Sequence, residues 1–117
     1  MFRRHVVAAL IVVLLGGCTQ TISLKMPDNT IQVRIRDGRV YDLSPASENF
    51  RRLSRWIDRN HSGWSSYVGT LPMSAVAVNL GTCYLGFSGS SVIAIFPHSY
   101  FTKRIDPIDY QYLLQEL

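Results

Sequence analysis

From Thr30 to Arg36 the chain alternates without a break: Ile31, Val33 and Ile35 are apolar, and Gln32, Arg34 and Arg36 are polar. Successive residues of a β-strand point to opposite faces, so this pattern suits a strand with one face in a core and one in water. Asp37-Gly38 comes next and predicts a tight two-residue hairpin, with Arg39 to Leu43 as the returning strand. A chain with this start must build a half-buried antiparallel sheet and supply something to cover it.

The cover is predicted directly downstream. Ser44 suits a helix N-cap, Pro45 the first helical position, and Glu48 complements the positive end of the helix dipole. Ala46, Phe50, Leu53 and Ile57 then fall on one helical stripe, with Trp56 beside it, and Gly63 ends the run. Trp64 to Phe96 reads as three or four more strands, with Ala75 to Leu80, Thr82 to Phe87 and Ser91 to Phe96 separated by Gly81 and by Ser88-Gly89-Ser90. Upstream, Ile22, Leu24 and Met26 alternate as a strand would, and Pro27-Asp28-Asn29 is turn chemistry. At the C-terminal end Asp106 caps a second helix, Pro107 opens it, and Ile105 staples onto Tyr110. Tyr110, Leu113, Leu114 and Leu117 share its apolar face and predict that it docks on the sheet. The expected fold is α+β: a small, mostly antiparallel sheet of about five to six strands with two helices packed on one face.

The N-terminal residues follow a different logic. Arg3 and Arg4 precede an unbroken apolar run from Val6 to Leu15, and Gly16-Gly17-Cys18 closes it. A positive start, a short apolar core and small residues before a cut describe a secretory signal peptide, and the run is shorter than the roughly 20 residues of a membrane span. Leu15-Gly16-Gly17-Cys18 resembles a bacterial lipobox. The resemblance covers residues 1–18. It implies cleavage between Gly17 and Cys18, diacylglycerol on the Cys18 sulfur and an acyl chain on the new amine. On this reading residues 1–17 are the leader, 18–21 a short lipidated tether and 22–117 a single envelope domain. Thr19 follows the cysteine in place of the Asp that retains many such proteins in the inner membrane, which implies the outer membrane, facing the periplasm. Export without lipidation is the competing reading.

Charge and cysteine content narrow the function. Of 12 basic residues two lie in the leader, and all eight acids lie beyond it, so the remaining domain carries a net charge of about +2 and calls for no polyanionic partner. Cys83 has no second thiol once Cys18 is lipidated, and its apolar setting in Thr82-Cys83-Tyr84-Leu85 predicts a buried, inert side chain. Arg51, Arg52, Arg55 and Arg59 cluster on the first helix, opposite its apolar stripe, either as a solvated face or as a surface for anions or an acidic partner. Trp64, Tyr67, His98, Tyr100 and Phe101 sit at predicted strand edges, as core and rim residues or as a partner-binding patch.

His61 and His98 are isolated and lack metal-ligand spacing. Gly86-Phe87-Ser88-Gly89-Ser90 misses the nucleophile-elbow pattern by one place and reads better as a hairpin turn. No metal and no cofactor beyond the Cys18 lipids is expected, nor a nucleic acid or small-molecule substrate. The leading expectation is a non-enzymatic, membrane-anchored accessory or regulatory protein that binds an envelope protein. Immunity or superinfection exclusion is the alternative, and a cell-envelope hydrolase using His98 and Ser88 a less favoured one.

Overall fold

The computed structural model describes residues 19–115. The leader, Cys18 and Leu117 of the sequence reading lie outside the described residues. Among the described residues the elements are β1 (Ile31–Ile35), β2 (Val40–Leu43), α1 (Glu48–Arg59), β3 (Ser65–Ser66), β4 (Val76–Asn79), β5 (Tyr84–Ser88), β6 (Ser91–Ile95), β7 (Tyr100–Arg104), a 3-10 turn at Pro107–Asp109 and a short α2 (Gln111–Leu114). None of these helices is long and apolar enough to cross a membrane.

The fold is α+β, with one antiparallel sheet in the order β2-β1-β4-β5-β6-β7-β3. It has seven strands, more than the five to six expected. The extra one is β7, whose residues are all partly exposed except the exposed Arg104, so no clean alternation marks it in the sequence. Ile22 and Leu24 are buried as the alternation predicts, but their segment is extended chain and not a ladder strand; it is tied on by a Gln20–Trp64 bridge and by Ile22 N–H donating to the His61 carbonyl at 2.8 Å.

The β1–β2 turn has three residues and not the expected two. Arg34 pairs with Val40, and Ile35 N–H donates to the Arg39 carbonyl at 2.9 Å, leaving Arg36, Asp37 and Gly38 as a three-residue loop. A two-residue turn would shift the register by one and set Leu43 against Gln32; the observed register sets Leu43 against Ile31, both buried. The longer loop needs a left-handed residue at its third position, and Gly38 supplies it with φ of 97°.

The helix start also moves. Ser47, not Ser44, is the N-cap, its Oγ accepting from Phe50 N–H at 3.2 Å. Ser44 and Pro45 belong to a preceding turn in which Ser44 Oγ accepts from Ala46 N–H. From Ser47 the apolar register is unchanged, and Phe50, Leu53, Trp56 and Ile57 are buried. The expected terminal helix is broken at Tyr110: Asp106 caps the 3-10 turn through Ile108 N–H, and α2 starts afresh at Gln111. Tyr110 and Leu113 are still buried, with Tyr110 Oη donating to the Gly89 carbonyl at 3.0 Å.

Both helices enter one core with a single face of the sheet, where Val33, Val76, Val78, Leu85, Phe87 and Val92 lie. Aromatic rings join the layers. Trp56 of α1 meets Trp64 and Phe87 edge-on, with centroids at 6.4 and 5.3 Å, and Phe87 stacks on Tyr110 at 5.2 Å. Trp64, placed at a strand edge by the sequence, is fully buried, and its indole N–H donates to the Asn60 carbonyl at 2.6 Å.

Candidate functional site

The 3-10 turn and α2, which follow β7, lay Ile108, Asp109 and Tyr112 beside α1. Between them lies a cleft of about 230 Å³ lined by Arg52, Arg55, Trp56, Arg59, Ile108, Asp109 and Tyr112. Its floor is held by Trp56, whose indole N–H donates to Asp109 Oδ2 at 3.4 Å.

The four arginines of the sequence reading divide here. Arg51 turns away, bonding Glu48 and the Ala46 carbonyl, and does not line the cleft. Arg55 lines it while paired with Glu48 Oε1 at 3.1 Å. These two guanidinium groups hold the Glu48 carboxyl below its ordinary range, Arg55 more strongly than Arg51. Arg52 sits over the Tyr112 ring, its guanidinium carbon 4.3 Å from the ring centre, within cation–π range. Arg59 has no ion-pair partner among the described residues.

Tyr112 is the functional candidate that the sequence reading missed. Its hydroxyl is shut from solvent and has no hydrogen-bond partner among the described residues. Burial pushes its pKa up to about 12, so the group is a neutral O–H donor at physiological pH. A buried, unmet hydroxyl costs about 1–3 kcal/mol. The cleft can receive a carboxylate through charge: Arg52, Arg55 and Arg59 line it against the one acid, Asp109, while the Tyr112 hydroxyl stays closed to solvent beneath it.

The other candidates stay apart. Ser88 stands at the end of β5 that adjoins Ser91, while His98 lies in the turn after β6, beyond Ile95 at the far end of the same hairpin. Ser88 Oγ instead accepts from Arg36 Nη2 at 3.4 Å. His98 borders a shallow hollow of about 310 Å³ with Gln20, Ile22 and Phe101, and Ser88 is not part of it. His61 is half-buried, its Nδ1 3.4 Å from the Ile22 carbonyl oxygen. Of the edge aromatics, Phe101 packs against Phe96 at 5.8 Å, and Tyr67 donates its hydroxyl to the Thr70 carbonyl. Cys83 is buried, and burial raises its thiol pKa to about 11, which leaves it unreactive at neutral pH.

No protein-family model, curated protein or solved structure matches this chain. The cleft therefore stands on its own geometry.

Proposed function

We propose that the protein is a membrane-anchored bacterial envelope lipoprotein, non-enzymatic, whose arginine cleft holds an acidic segment of an envelope protein partner. It acts as an accessory or regulatory factor, delivered to the periplasmic side of the outer membrane by lipid on Cys18. The lipobox carries the anchor. The grouping of Arg52, Arg55 and Arg59 around one cleft is the observation that carries the binding role. A carboxylate there would face two arginines, Arg52 and Arg59, that lack an acidic partner within the described residues.

The test places a photo-crosslinking benzophenone at Ile108, which lines the cleft and is exposed. In intact envelopes a discrete protein adduct is expected, lost in the Arg52→Ala/Arg59→Ala double variant and kept in Arg51→Ala. An adduct indifferent to all three arginines, or none, overturns the binding role. For the anchor, palmitate labelling should be present in the wild type and absent in Cys18→Ser; equal labelling of the two overturns the lipoprotein reading.

A further inference from the structure

The sheet face opposite the helices is crossed by the segment 67–74, which runs from the end of β3 to the start of β4. It is fastened at both ends. Tyr67 N–H donates to the Tyr100 carbonyl at 2.9 Å, and Arg36 Nη2 donates to the Met73 carbonyl at 2.9 Å. Near its end Ser74 rests on Gly86 of β5 so closely that a Cβ at Gly86 would lie 2.1 Å from Ser74 Oγ. A segment pinned this way could have turned its apolar side chains inward. Instead Val68 is 93% exposed, Met73 75% and Leu71 39%.

The chain around the segment carries no charged side chains. Between Asn60 and Thr102 the sequence has no Asp, Glu, Lys or Arg. The open face adds exposed Tyr84 and, at the far rim, Val40. Strand alternation places Arg34 and Arg104 on this face too, with Asp42 as the acid among the strand residues that share it. Exposed aliphatic and aromatic groups bordered by arginines match the boundary between headgroups and acyl chains of an anionic bilayer.

The position of the N-terminal segment points to the same surface. Gln20 bridges Trp64 antiparallel, and its side-chain Nε2 donates to Ser66 Oγ at 3.1 Å. The chain therefore leads toward Thr19 at the corner where β3 runs on into Tyr67 and Val68. At no more than about 3.5 Å per residue, an anchor attached one residue before Thr19 is within reach of that corner.

Resting on the lipoprotein reading above, we propose that the 67–74 segment is a membrane-contacting strap: Val68, Leu71 and Met73 enter the interface of the bilayer that holds the Cys18 lipid. The domain then lies with its open sheet face on the membrane and its arginine cleft toward the aqueous side.

The experiment uses the full acylated protein in vesicles of phosphatidylethanolamine and phosphatidylglycerol. Spin labels are placed at Val68→Cys, Met73→Cys and, as a control on α1, Asp58→Cys; the buried Cys83 does not compete for label. Acylation of each preparation is first checked by mass. The expected result is a several-fold higher ratio of oxygen to nickel-chelate accessibility at 68 and 73 than at 58. Acylated protein with 68 and 73 as water-accessible as 58 overturns the strap and leaves the anchor standing. So does a benzophenone at Val68 that crosslinks in intact envelopes to a protein and not to lipid. Protein without acyl mass overturns the anchor, and the strap with it.

Discussion

On the helix-covered side of the sheet, Val33, Val78 and Leu85 line up across three strands and none is exposed. One residue along, on the open side, Gln32, Asn79 and Tyr84 line up across the same strands, and Gln32 and Tyr84 meet solvent. The backbone is shared, so the difference comes from the cover. Two helices and four aromatic rings close one side, whereas a single strap of chain crosses the other. The first side holds the domain together, and the second leaves apolar groups exposed.

The comparison breaks most readily at Phe87 and Tyr84. Phe87→Ala removes the ring between Trp56 and Tyr110 and should cost about 3–5 kcal/mol in denaturant unfolding. Tyr84→Ala on the open side should cost well under half of that. Equal losses would mean that the open side is structurally as important as the covered one. Next in size is Gly86→Ala, which drives a methyl into Ser74 and should cost about 1–3 kcal/mol. Adding Ser74→Gly should recover most of that loss, a non-additivity measured by the double-mutant cycle; no recovery would detach the strap from the sheet.

On the covered side, Ser47→Ala should lower stability by about 1 kcal/mol and Ser44→Ala by less, because only Ser47 caps α1. The reverse order would restore the cap to Ser44. At neutral pH the smallest effects concern groups held neutral by burial, whose contribution changes only in alkali. The Cys83 and Tyr112 pKa values are raised from 9.0 to about 11 and from 10.0 to about 12. Each stabilising contribution is complete below the ordinary value and disappears as pH rises through the raised one. Unfolding stability should therefore be flat near pH 8 and decline between about pH 9 and pH 12. Tyr112→Phe should soften the upper part of that decline. At pH 8 it should leave the free protein equally or slightly more stable, since it deletes an unmet hydroxyl.

Much of the covered side was legible in the sequence. Strict alternation placed β1, and the stripe of Phe50, Leu53 and Ile57 placed α1, because burial on one face leaves a periodic trace. The loop between β1 and β2 was misread because Asp-Gly serves turns of two lengths, and the register that decides between them is set by Ile31 and Leu43. Ser44 and Ser47 offer the same capping chemistry three residues apart, and propensity alone does not separate them. β7 hid because it is half-exposed on both sides. The cleft was half visible: the arginines cluster locally, but Tyr112 reaches Arg52 only through the fold, and nothing in its immediate sequence marks it.

The strand order has a consequence for how the domain assembles. β4 to β7 form a run of neighbouring hairpins, whereas β2 and β3, adjacent along the chain on either side of α1, occupy opposite rims. Contacts within the run need little loop closure and should form early; β1 must wait for β4, across the separation from Gln32 to Asn79. β3 in turn needs β7 to offer its edge, and only then can Trp64 receive Gln20. Folding therefore finishes at the rim beside Thr19, and the first described residues to leave the N-terminus are among the last to find their place.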